Sequence, residues 1–72
     1  MNLVESFGAR LQKLRKEQNI SQEKLAELSG LHRTYISSLE RGARNPTITT
    51  LHSIAKALNI EISNLVSGIS DE

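Results

Sequence analysis

Only three residues, Gly30 to His32, separate two segments whose apolar residues recur at three- and four-residue spacing. A link that short, with glycine at its corner, has the dimensions of a helix-turn-helix, in which the second helix crosses the first steeply. The first of the two segments, Gln22 to Ser29, opens after Ser21, whose hydroxyl can accept a free backbone N–H of the first turn. Its inner face carries Leu25, Ala26 and Leu28, and Gly30 supplies the positive φ that a helix end of this kind requires. The second segment, about Arg33 to Arg41, turns Ile36 and Leu39 inward and stops at Gly42.

Three further segments read as helices by the same spacing, and no strand alternation competes with them. One precedes the pair, about Ser6 to Gln18, with Phe7, Leu11 and Leu14 on one face and Arg10, Lys13, Lys16 and Glu17 turned outward. After the loop that carries Arg44, Asn45 and Pro46, Thr47 caps a fourth helix, about Ile48 to Leu58, striped by Ile48, Leu51, Ile54, Ala55 and Leu58. A short fifth, about Ile62 to Ser67, presents Ile62, Leu65 and Val66 before Gly68 and an acidic tail that is expected to fray. The expectation is an all-α fold of five helices in a single domain over 1–72, with an ordered helical core over 6–67 and a tail over 68–72. Phe7, Leu11, Leu14, Leu25, Leu28, Ile36, Leu39, Leu51, Ile54 and Leu58 are expected to form its core.

With 72 residues and 38% apolar composition, such a core is small and its margin of stability thin. Cysteine is absent, which removes disulfide scaffolds, thiolate metal sites and cysteine nucleophiles. No run approaches the roughly 20 apolar residues of a membrane span, and the N-terminus lacks signal-peptide character, so a soluble, cytoplasmic protein without membrane contact is expected. His32 and His52 fall on different helices with no carboxylate cluster, so no metal site or general base is expected. The four glycines are read as element boundaries rather than a phosphate-binding loop, and no serine has the context that would activate it. Neither catalytic residues nor a cofactor emerge, and enzyme activity is the least favoured class.

Charge is uneven along the chain. Residues 1–44 hold eight basic and five acidic groups, net +3, whereas residues 45–72 hold Lys56 against Glu61, Asp71 and Glu72, net −2. A basic half is what a polyanion would attract. The third helix sharpens this, because with Ile36 and Leu39 inward its outward stripe is Arg33, Thr34, Ser37, Ser38 and Arg41, short hydroxyls bracketed by guanidiniums and free of acid. A helix entering a DNA major groove needs small side chains for close approach and a few groups matched to base edges, of which Arg to guanine is the commonest. An ordinary solvated face would mix Glu and Lys. Arg33, Thr34, Ser37 and Ser38 are therefore expected to read bases, with Tyr35, Arg41, Arg44 and Asn45 on phosphates. A second feature is internal: Arg15 continues the Phe7–Leu11 face and Glu40 follows Ile36 by four residues, so the two opposite charges are expected to meet between the first and third helices.

The runs Ser21-Gln22-Glu23-Lys24-Leu25-Ala26, Tyr35-Ile36-Ser37-Ser38-Leu39-Glu40-Arg41-Gly42 and Asn45-Pro46-Thr47-Ile48-Thr49-Thr50-Leu51, with Gly30 between the first two, resemble the Cro and phage-repressor type of helix-turn-helix, the xenobiotic-response-element family. The likeness covers about Phe7 to Val66. It implies a five-helix, lambda-repressor-like DNA-binding domain, Arg15 and Glu40 in the family's interior salt bridge, Gln22 against a phosphate, and the third helix as reader. Within the family, Arg33-Thr34-Tyr35 with Arg44-Asn45-Pro46-Thr47 is most similar to the controllers of restriction–modification systems. One departure is His32, where the family more often has an Asp, Ser or Thr cap.

The expected function is a transcriptional regulator that binds a near-palindromic double-stranded operator as a homodimer, acting as repressor or, through RNA polymerase, as activator. A stand-alone repressor, and an antitoxin or protein-interaction module of the same fold, remain alternatives. RNA is disfavoured, because only Phe7 and Tyr35 could stack on unpaired bases and Phe7 lies on a buried face. The dimer surface is assigned to Ile62, Leu65, Val66 and Ile69, with His52 and Asn64 as polar neighbours, since this apolar set is left over once the helix-turn-helix core is satisfied.

Overall fold

Asn2 rather than Ser6 starts the first helix. In a computed structural model that describes residues 1–72, the Asn2 side chain accepts the Glu5 backbone N–H at 2.8 Å while Glu5 Oε1 accepts that of Asn2 at 3.0 Å. This reciprocal cap satisfies two N–H groups at the helix start, and it sets α1 at Leu3–Glu17, a turn earlier than the apolar spacing implies. α2 runs Gln22–Ser29 from the Ser21 cap, whose hydroxyl accepts the Lys24 N–H at 2.9 Å, to Gly30 at φ 76°. α3 spans Arg33–Glu40, α4 Ile48–Leu58 from the Thr47 cap, and α5 only Ile62–Leu65.

The core unites all five helices through Phe7, Leu11, Leu14, Leu25, Ala26, Ile36, Leu39, Ile54, Ala55, Leu58 and Leu65. Two expected members are displaced. Leu28 is 49% exposed, at the rim of a groove with His52, Ser53 and Lys56, whereas Leu25 and Ala26 of the same helix are buried. Leu51 is half-buried, and Ile48, at the first turn of α4, projects beyond the core at 69% exposure. Leu65 goes the other way: it is fully buried and roofs the core from α5.

Gly8 departs from the expectation that every glycine marks a boundary. It lies in the middle of α1, buried, and a Cβ there would collide with the Leu39 carbonyl oxygen and stand 2.7 Å from that of Glu40. The missing side chain lets α1 rest on the carbonyl end of α3, which aligns Arg15, two turns on, with Glu40. Arg10, expected outward, instead ties α1 to α5: its Nη2 donates to the Asn64 carbonyl at 2.8 Å and to Asn64 Oδ1 at 2.9 Å. The C-terminal segment does not fray directly after Gly68 either, since Ile69 packs against the core and the Ser70 N–H donates to Ser6 Oγ at 3.0 Å. No helix is long and apolar enough to cross a membrane.

Candidate DNA-binding interface

Below the surface of the helix-turn-helix lies one ion pair. Arg15 Nε donates to Glu40 Oε2 at 2.6 Å and Nη2 to Oε1 at 2.9 Å, with side chains only 8% and 2% exposed. The guanidinium's remaining reach is used on the Ile20 carbonyl, which accepts from Nη1 at 2.8 Å. Its hydrogen bond to Glu40 holds the Arg15 pKa above its ordinary value, against the opposing effect of burial. The pair expected from periodicity is therefore present, bidentate, and it locks α1, the α1–α2 corner and α3 together.

Gln22, the first residue of α2, joins this pair: its Nε2 donates to Glu40 Oε1 at 3.1 Å. Nothing in the apolar spacing signals that contact, because it depends on how the start of α2 meets the end of α3 in space. Both short helices are thus referenced to a single carboxylate.

Above this base, Arg33 and Thr34 stand exposed in the first turn of α3. Arg33 Nε lies 3.9 Å from Glu23 Oε2 of α2, a solvated contact that spans the corner. Ser37 is half-exposed, and its Oγ accepts from Arg41 Nη1 at 2.6 Å. Ser38 is not on this face. It is buried, its hydroxyl donates to the Tyr35 carbonyl at 2.7 Å, and its own carbonyl accepts the Ala43 N–H at 2.9 Å as the chain turns back over it. A serine placed on the outward stripe by spacing is thus turned back onto the carbonyl of its own helix.

That loop brings Arg44 over Tyr35, with its guanidinium carbon 5.6 Å from the ring centroid, a cation–π contact at the edge of α3. Arg41, Arg44 and Asn45 are all exposed around it. His32 occupies the cap position of α3, but its side chain makes no capping hydrogen bond, consistent with its departure from the usual cap residues. Arg33, Thr34, Ser37, Tyr35, Arg41, Arg44 and Asn45 are thus gathered on α3 and the loop behind it, with Gln22 at the α2 end.

On the α5 side, Ile62, Val66 and Ile69 are half-buried, and His52 and Asn64 are exposed. Val66 and Ile69, with the partly exposed Leu3, border a shallow apolar cleft of about 140 Å³ floored by Phe7 and Leu51. Leu65, expected on this surface, is withdrawn into the core.

A profile of the helix-turn-helix family matches residues 11–65 of the chain. The control protein C.SmaI of Serratia marcescens is 46% identical, in an alignment that takes in 100% of this chain and 88% of that one. The crystal structure of the restriction–modification controller C.AhdI from Aeromonas hydrophila superposes with a TM-score of 0.83 at 48% identity, over 88% of this chain and 94% of that one. The controller C.Esp1396I, crystallised as a tetramer in complex with its natural 35 base-pair operator, superposes at 0.78 with 42% identity, over 82% of this chain and 78% of that one.

Proposed function

The chain belongs to the helix-turn-helix family of DNA-binding transcription regulators, and from that premise we propose that it binds a near-palindromic operator as a homodimer and controls the expression of a restriction–modification system. The observation that carries this reading is the exposed first turn of α3. Arg33 and Thr34 project there, and the N-terminal residues of a second helix are the ones that reach base edges when such a helix lies in the major groove. Arg33 reads a base, most simply a guanine, with Thr34 and Ser37 beside it. Ser38 has no part in reading, since its hydroxyl is spent on the Tyr35 carbonyl. Gln22, Tyr35, Arg41, Arg44 and Asn45 hold phosphates on either side of the groove and fix the register.

The homodimer is built on Ile62, Val66 and Ile69, with His52 and Asn64 at its rim. One such helix reads too few bases for specificity, and a two-fold pair sets two of them one duplex turn, about 34 Å, apart. Occupying a promoter represses it; a dimer seated upstream activates only if it also touches RNA polymerase.

Mobility shift against duplex DNA over a range of salt tests this function. The protein is expected to bind an operator with nanomolar affinity that falls steeply with salt, as phosphate contacts release counterions. Equal, weak binding to every duplex, or a preference for single-stranded RNA, would contradict it.

A further inference from the structure

We propose that Glu40 is a positioning residue for DNA binding: by holding one N–H of Gln22, it aims the other at a backbone phosphate. The proposal rests on the reading of Gln22 as a phosphate contact and adds what makes that contact directional.

Glu40 has a fixed place. Arg15 grips both of its oxygens, at 2.6 and 2.9 Å, and Arg15 is itself held by the Ile20 carbonyl. Oε1 then accepts a second hydrogen bond, from Gln22 Nε2 at 3.1 Å. A carboxylate facing a guanidinium accepts hydrogen bonds and donates none, so the side of the Gln22 amide turned toward it must be the NH₂ group. That chemistry settles which way round the amide lies, a choice otherwise ambiguous for glutamine.

An NH₂ group carries two hydrogens, and Glu40 takes one of them. Gln22 is the first residue of α2 and half-exposed, so its second N–H is free at a helix start, where backbone N–H groups and the helix dipole already favour an anion. A free glutamine at the same place would rotate among many conformers and would as often present its carbonyl oxygen, which repels a phosphate. Glu40 removes both costs. The buried pair therefore contributes to DNA affinity through Gln22, equally for all sequences, in addition to holding the helices together.

The test is a double-mutant cycle on DNA affinity with Gln22→Ala and Glu40→Gln, each protein checked for helical content at the assay temperature. In Glu40→Gln the neutral amide can offer Gln22 either a donor or an acceptor, so the orientation is no longer selected. Each single variant is expected to weaken operator and scrambled duplex alike, by about tenfold, the scale of one hydrogen bond to a charged group. The double variant is expected to bind no more weakly than Gln22→Ala alone. Losses that multiply in the double variant would overturn the positioning role, because Glu40 would then act independently of Gln22. Wild-type affinity in Gln22→Ala would instead overturn the phosphate reading beneath it.

A measurement on the wild-type protein stands apart from any folding defect. In the nuclear magnetic resonance spectrum, one Gln22 side-chain proton is expected to exchange slowly with solvent in the free protein, and the other to shift when duplex DNA is added. Two fast-exchanging protons in the free protein would overturn the proposal.

Discussion

Gly8 of α1 lies directly against the carbonyl of Leu39 in α3, with no room between them for a methyl group. In an ordinary helix interior, replacing glycine by alanine stabilises by about 1 kcal/mol. Here the sign reverses, because the obstacle is backbone and cannot rotate aside. Gly8→Ala is expected to cost about 1–3 kcal/mol net, the scale of overpacking a tight interior, read as a lowered midpoint of urea unfolding. A stabilised variant would mean that α1 does not rest on α3 as described.

The Arg15–Glu40 pair sets the second expectation. Removing the guanidinium with Arg15→Met leaves a carboxylate that is 2% exposed without its partner, which should destabilise by about 3–5 kcal/mol. Because the folded-state pKa of Arg15 is raised, its contribution is fully present below the unfolded value and is lost only as pH rises through the folded one, in strongly alkaline solution. Thermal unfolding of Arg15→Met and wild type should accordingly differ by the same amount throughout the neutral range.

The Arg15–Glu40 pair and the α2–α3 corner were both legible in the sequence, because each follows from local rules: a cap, a glycine, and charges spaced four residues from apolar neighbours. Gly8 and Ser38 were not. Spacing alone cannot say that another helix crosses at Gly8, nor that Ser38 is buried with its hydroxyl turned to the Tyr35 carbonyl of its own helix. Leu28 and Leu65 exchanged roles for a similar reason. A short helix shows the same apolar pattern whether its last leucine is covered or left at a rim, and only the placement of α4 and α5 decides which. The early start of α1 did have a signal, Asn2 three residues before Glu5, but it lies outside the apolar stripe.

Arg33 and Arg44 should separate reading from holding. Arg33→Ala is expected to lose about 1–3 kcal/mol on the preferred site and to relax discrimination at one base position, while Arg44→Ala weakens all sequences alike and flattens the salt dependence. Affinities for operator and scrambled duplex at several salt concentrations check both. An Arg33→Ala protein with the wild-type ratio between the two duplexes would remove Arg33 from the reading set.

Ser37 and Ser38 give a paired contrast on the same helix. Ser38→Ala should leave DNA discrimination unchanged, since the buried hydroxyl serves the Tyr35 carbonyl, whereas Ser37→Ala should alter binding and leave melting nearly unchanged. The contrast is measured by melting temperature and operator affinity on the same preparations.

For the dimer, sedimentation at micromolar concentration should return about twice the 8.0 kDa chain mass. A charge at the half-buried Val66, as Val66→Glu, should shift the equilibrium to monomer while the helical content persists, because Leu65 and not Val66 fills the core. An unaltered dimer would place the interface elsewhere.

The most direct test of the central claim is to let the protein choose its own site from a pool of random duplexes and to measure affinity for the winner. The expected winner is a near-palindromic sequence with two half-sites about 34 Å apart, centre to centre, bound as a dimer with nanomolar affinity. A pool that returns no common sequence, or a single half-site bound tightly by one chain, would contradict it.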